Sequence, residues 1–425
     1  MNFTVKEDID QWNDLCDMLA ASMKSEMSQQ QSYVQIIAMG SDVEVRYENS
    51  HLRFTKSIPA IIASEGEVFC PAKAFACISR TNKDSINIEL QENTVQIKTG
   101  RSRNQIQICN GGEILPVSSG DLMNVSFKEM HVAIKKLRHI LKKKDSRGVA
   151  DKINFIENDG SIIGFTTDGH RMSWLTFESS LPIDSEGVAF YAESLPIIET
   201  LMKISERRKA DQMISTKESS AILYGGGFNL RVSTVPAFKM SPLTLLKNAE
   251  AMKGKSRCRI ESGPFMDVLK KLKDSMSLRK TAKSDSDDYI RFLAFLEEDR
   301  LVVASNGGGV KIIDEIPCFD IENKVTDNGA QIICASIKYF QDAVQQIEAP
   351  EIVMEWIGCE ESIQKMPSTM IFSEDPSQVK SFIVMSRIGH GELNNVRPEN
   401  ISERFKESLE LQRLSKPDKR NAISV

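Results

Sequence analysis

One order of elements, helix, strands, helix, strands, recurs three times along the 425 residues at a spacing of roughly 130. A recurrence of this kind means an internal repeat, here of units each about the length of a domain. The length agrees, because a single hydrophobic core does not serve so long a chain. Residues 1–122 open on the strand-like Asn2-Phe-Thr-Val, followed by a helix over 7–24. Ile9, Trp12, Cys16 and Leu19 lie on one face of that helix, and Glu7, Asp10, Asp14 and Asp17 on the other. Alternating segments follow at Tyr33-Val-Gln-Ile-Ile and Val43-Glu-Val-Arg-Tyr. Cys70-Pro-Ala-Lys-Ala-Phe starts a second helix, with Pro71 suited to its first turn. Strands at Ile86, Val95 and Gln105 complete the unit.

Residues 123–250 repeat the order, with helices over 128–144 and 193–208 and closing strands at Gln212, Ala221 and Phe228. Residues 251–388 repeat it again, with helices over 264–279 and 336–347 and a last strand Ser381-Phe-Ile-Val-Met. The extension 389–425 breaks the pattern. There Asn400-Ile-Ser-Glu403 has the form of a helix cap, and Ile401, Phe405 and Leu409 share a face that is expected to dock on its own protein.

Several classes of protein are excluded. No run of 18 apolar residues exists and the N-terminus lacks a signal-peptide pattern, so a cytoplasmic protein without a membrane span is expected. The eight cysteines contain no Cys-x-x-Cys pair, which favours reduced, mostly buried thiols over disulfides or a metal site. The triplets Gly225-Gly-Gly and Gly307-Gly-Gly lack the residues of a phosphate loop and sit between strand patterns, so they are expected to be tight turns. No cofactor is implied.

Thr166-Thr167-Asp168-Gly169-His170-Arg171-Met172 lies between two alternating segments, and Asp-Gly there is a strong hairpin signal. Asp168, His170 and Ser173 could sketch a hydrolase triad, but no Gly-x-Ser-x-Gly elbow accompanies them. A structural turn with a hydrogen-bonded His is the plainer reading.

The net charge of −5 says little by itself, whereas the placement of basic residues says more. On the 128–144 helix Met130, Ala133, Ile134, Leu137 and Leu141 form one stripe, opposite Lys128, His131, Lys135, Arg138, His139 and Lys142. Arg207, Arg208 and Lys209 end the next helix, and Lys270, Lys271, Lys273, Arg279 and Lys280 mark the first helix of the third unit. A solvated face explains most charge runs. A basic excess at equivalent places in three helices of an acidic protein favours contact with a duplex backbone, independent of sequence.

Together these pieces resemble the bacterial DNA polymerase III beta subunit, the sliding clamp. The match is carried by Met1-Asn-Phe-Thr-Val, Cys70-Pro-Ala-Lys-Ala-Phe, Gly100-Arg-Ser-Arg, Thr167-Asp-Gly-His-Arg-Met172, Ser336-Ile-Lys-Tyr-Phe and Phe382-Ile-Val-Met385, in that order. The resemblance implies an α+β fold of three clamp domains, 1–122, 123–250 and 251–388, with helices lining a channel and sheets outside. It implies no catalysis. A head-to-tail homodimer would encircle double-stranded DNA, opened by a clamp loader, and would tether the replicative polymerase and other proteins that carry clamp-binding peptides.

By the same resemblance, a partner-peptide pocket would be formed by Thr167, Gly169, His170, Arg171, Met172, Leu243, Tyr339, Ile383, Val384 and Met385. DNA would meet Lys128, Lys135, Arg138, Lys142, Arg207, Lys270, Lys273 and Arg279. Three places depart from the family, and one is the helix over 7–24, acidic where the family's is neutral to basic on the side expected to meet DNA. The family's Phe-Pro-Asp-Tyr run is here Phe238-Lys-Met-Ser, and its final Met-Pro-Met-Arg-Leu is Met385-Ser-Arg-Ile-Gly followed by the extension. Such divergence would suit a clamp of a phage or mobile element. The alternatives are a clamp-like protein that binds partners without encircling DNA, and a hydrolase using Asp168 and His170.

Overall fold

The computed structural model describes residues 1–24, 32–118, 121–142, 148–178, 181–183, 186–217, 219–239, 242–245, 256–277, 291–297, 299–307, 310–322, 332–358 and 367–385. Arg279, Cys359 and the whole extension 389–425, with its expected helix, lie outside the described residues.

The order of elements repeats three times. Each block opens on a short strand (Asn2–Val5, Met123–Asn124, Ser256–Glu261) and a helix (Ile9–Lys24, Phe127–Leu137, Ser262–Ser277). A group of strands follows, then a second helix (Ala72–Ser79, Leu195–Arg208, Ile337–Gln345) and three closing strands. Pairing repeats as well. The opening strand runs antiparallel to the first closing strand in every block, as Phe3↔Ile88, Met123↔Ile214 and Ile260↔Ile352. The first and last strands of the middle group also pair, as Ile36↔Val68, Phe155↔Val188 and Phe292↔Ala335. Alternating sequence produces half-buried strands here: Asp42–Glu48 buries every second residue.

The chain packs as two compact units. One holds Met1–Gly164 and Phe177–Phe238, and the other Phe165–Thr176 and the residues from Lys239 onward. In the first, Trp12 is fully enclosed against Phe3 and Phe75, and its Nε1 donates to the Ser79 carbonyl at 3.0 Å. Strand Leu52–Pro59 pairs with Phe228–Val235, and Phe54 meets Phe228 edge-on. In the second, Phe265, Phe292, Phe340 and Trp356 build the core. Strand Arg171–Phe177 pairs there with Lys380–Val384.

Helix ends shift from their expected places. The basic helix stops at Leu137 and tightens into a 3-10 turn, Arg138–Ile140, whereas the pattern predicts a helix to 144. Tightening brings Ile140 into the core at 1% exposure and leaves Leu141 half-buried, so Ile140 takes the place expected of Leu141. The strand pair Gly225↔Phe228 closes the first glycine turn as expected, whereas Gly308 and Gly309 of the second triplet lie outside the described residues, between the paired Gly307 and Val310. Gly226 and Gly227 have φ of 57° and 77°, the left-handed pair that a two-residue hairpin demands. Cys16, Cys70, Cys258, Cys318 and Cys334 are buried. Burial pushes the Cys16 thiol up to about 11 and the Cys70 thiol up to about 12, which keeps both protonated. Among the described residues no helix is long and apolar enough to cross a membrane.

Candidate functional site

The hairpin turn is built by its own polar side chains. Asp168 Oδ1 accepts from the backbone N–H groups of His170 at 3.0 Å and Arg171 at 3.1 Å. Thr167 Oγ1 donates to the Arg171 carbonyl at 2.9 Å and accepts from Gly169 N–H at 3.1 Å. Gly169 sits at φ 84°, which a side chain would strain. This is the Asx-turn chemistry that lets Asp-Gly reverse a chain.

Arg171 is enclosed at 6% exposure, and its guanidinium is held on three sides. Nε donates to Asp168 Oδ2 at 3.2 Å, Nη1 donates to Asp342 Oδ2 at 2.6 Å, and Cζ lies 4.4 Å from the centre of the Tyr339 ring. The turn is tied to the last strand, since Val384 N–H donates to the His170 carbonyl at 2.9 Å and Ser173 shares a 2.8 Å hydroxyl bond with Ser381. Thr369 Oγ1 meets Met385 Sδ at 3.1 Å. The expected residues Thr167, Arg171, Met172, Tyr339, Ile383, Val384 and Met385 are therefore gathered in one compact unit.

Their exposure differs from that of an open apolar pocket. Met172, Ile383 and Met385 are at most 3% exposed and belong to the packed interior. Accessible surface comes from Gly169 and His170, with half-buried Tyr339 and Val384 beside them. Leu243 is half-buried in the short helical stretch 242–245, and no hydrogen bond, ion pair or ring contact of the described residues links it to the cluster. The sequence reading missed Asp342. Its spacing of three from Tyr339 on one helix was the available signal, since i and i+3 share a face.

Basic residues divide into exposed and paired. Lys128, Lys135 and Lys142 are exposed, as is Arg138, which reaches Glu199 at 3.3 Å. The Ser126 side chain caps this helix at Lys128 N–H, 3.3 Å away. Arg207 and Arg208 both pair with Asp14, whose side chain is 3% exposed, and Arg80 pairs with Asp17. The acidic face of the first helix is thus partly neutralised by the end of helix Leu195–Arg208, around a cavity of about 440 Å³. Lys270 pairs with Asp267 at 3.3 Å, Lys271 pairs with Asp314 at 2.8 Å, and Lys273 is half-buried.

Solved structures share this fold. A DNA polymerase sliding clamp from Bacillus subtilis aligns at TM-score 0.73 and 16% identity, covering 92% of this chain and 100% of its own. DNA polymerase III subunit beta from Pseudomonas aeruginosa aligns at 0.72 and 15% identity, covering 91% and 100%. Pol III beta from Caulobacter crescentus aligns at 0.74 and 15%, again covering 91% and 100%. No family model and no curated protein matches the sequence. The chain has the sliding-clamp fold, an α+β arrangement in which helices pack on antiparallel sheets.

Proposed function

We propose that this chain is a DNA sliding clamp, a processivity factor that closes a head-to-tail ring of two copies around duplex DNA. The three clamp domains are 1–122, 123–250 and 251–388. The observation that carries the reading is a pairing rule, supported by the fold of the solved clamps. The last strand of the second repeat, Phe228–Val235, pairs with Leu52–Pro59 of the first. The last strand of the third, Lys380–Val384, pairs with Arg171–Phe177 of the second. One last strand, Ser102–Gln107, stands at a sheet edge, and its rule-given partner is the start of Val310–Glu322. Applied between two copies, the same rule joins both ends and closes the assembly.

The chain acts in this reading without catalysis or cofactor. Exposed Lys128, Lys135, Arg138 and Lys142 meet the phosphate backbone. The hairpin face with His170, Arg171, Tyr339 and Val384 receives short peptides of the replicative polymerase, the loader and other partners. Asp168 serves this face as a turn-builder that holds Arg171, since both its oxygens accept N–H groups there. A direct test is retention on nicked circular DNA after loading by the host's ATP-driven loader. Dimers of about twice 47.6 kDa that stay on circles and leave once the DNA is linearised are expected. A monomer, or equal retention on linear DNA, would sink the proposal.

A further inference from the structure

The turn that builds the hairpin face occurs a second time, within the unit formed by the first and second repeats. Asn49 takes the place of Asp168: its Oδ1 accepts from His51 N–H at 2.9 Å and Leu52 N–H at 3.0 Å. Asn49 N–H donates to the Leu52 carbonyl at 2.9 Å, as Asp168 N–H does to the Arg171 carbonyl at 3.2 Å. The tie to the closing strand recurs too, with Ser233 N–H on the His51 carbonyl at 2.8 Å matching Val384 N–H on the His170 carbonyl at 2.9 Å. Two turns that share this hydrogen-bond pattern, each with a His at the third position and each bound to the last strand of the following repeat, are one device used twice, although the second position is left-handed only at Gly169.

Around this second turn lies a cleft of about 490 Å³, lined among others by His51, Arg53, Tyr191, Arg231, Ser233 and Thr234. That volume is the size of a small-ligand or peptide side-chain site. Its chemistry points to an anion. Arg231 stands directly opposite Arg53 across the strand ladder, an arrangement that costs free energy when nothing lies between two like charges. Glu48 answers one end of Arg53, while Arg53 Nε is buried with no hydrogen-bond partner among the described residues. Arg231 is exposed. Beside them the His51 and Tyr191 rings lie 6.0 Å apart, centre to centre, and His51 Nε2 is 3.5 Å from Glu193.

We infer that this cleft is a second binding site and that it takes a short extended peptide bearing a carboxylate and a neighbouring aromatic ring. The carboxylate bridges Arg53 and Arg231, for which a guanidinium fork is the matching donor. The ring lies against Tyr191 and His51. A polyanion such as nucleic acid fits poorly, because Glu48 lines the same cleft and Glu193 lies 3.5 Å from His51 Nε2 at its wall. The site goes beyond the proposed clamp function and does not require it.

Calorimetry on the full chain tests the inference with acetyl-Gly-Tyr-Asp-Gly-amide against its Asn counterpart. The Asp peptide is expected to bind about tenfold tighter, and Arg231→Ala, whose side chain is exposed, should abolish the difference. Arg53→Ala should do the same, with circular dichroism reporting whether it folds. Equal binding of the two peptides, or none by either, overturns the site. Inorganic phosphate binding as tightly as the Asp peptide would make the cleft a simple anion site and would also overturn the peptide assignment. Repeating the titration with the hairpin face saturated by a polymerase peptide should change nothing, so failure of either site is seen separately.

Discussion

Lys56 is 3% exposed, donates from Nζ to the Gly226 carbonyl at 3.0 Å and lies 5.0 Å from the centre of the Phe228 ring. Burial lowers its pKa from 10.5 to about 8, with the Arg208 charge acting the same way. The folded pKa lies below the unfolded one, so between pH 8 and 10.5 the unfolded chain holds more protons and stability rises with pH. Below pH 8 the cost of burying the charge is present in full. Lys56→Met removes this dependence. Urea unfolding of the parent should gain on the order of 2 kcal/mol relative to the variant between pH 7.5 and about 10.5. Parallel stability profiles for the two proteins would refute the account. Nothing near Lys56 in the sequence marks it, since its partner lies 170 residues away. The Asp168 turn was legible for the opposite reason: its hydrogen bonds run between residues no more than four apart. Arg171 stood out in the sequence by its place in the hairpin motif, but its ion partner Asp342, 171 residues on, did not.

At the scale of elements, the basic helix tests whether charge placement serves DNA. Lys128, Lys135, Arg138 and Lys142 are exposed around a stripe that buries Met130, Ala133, Ile134 and Leu137. Each lysine that contacts a phosphate contributes about 0.9 to the slope of log affinity against log salt. Lys135→Ala should therefore flatten the slope by about 0.9. Arg207→Ala should change it less, because Arg207 already pairs with Asp14. Equal changes in fluorescence-anisotropy titrations would contradict the distinction between free and paired cations. Helix periodicity predicted this element and its buried stripe. The early stop at Leu137 was not visible, because a 3-10 turn depends on whether Ile140 or Leu141 finds a space in the core. The pairing of Asp14 with Arg207 and Arg208 escaped the sequence as well. An acidic face and a basic end say what could attract them, and only packing brings two helices within reach.

At the scale of the whole molecule, the pairing rule gives a register. Phe228 lies opposite Lys56 and Val232 opposite Leu52. Ser102 and Phe228 follow equivalent turns, as do Val310 and Leu52, so Ile106 should face Val310 and Arg103 should face Ile313 of a second copy. Arg103→Cys combined with Ile313→Cys is expected to form an intermolecular disulfide under mild oxidation and to yield a dimer on non-reducing gels. Arg103→Cys with a cysteine at Glu322, far from that register, should give little. Equal yields would mean that the copies do not meet along these strands. The sequence by itself determined the threefold order of elements, the strand alternation, the glycine turn at Gly226-Gly227 and the Asp-Gly hairpin. All of these rest on periodicity or on bonds between near neighbours. Tertiary structure alone decided that Met172, Ile383 and Met385 are core, that Arg171 is gripped by Asp342 and Tyr339, and that a second turn at Asn49 faces its own cleft. Those outcomes depend on which strands come to lie side by side across more than a hundred residues, and local patterns carry no record of that partner choice.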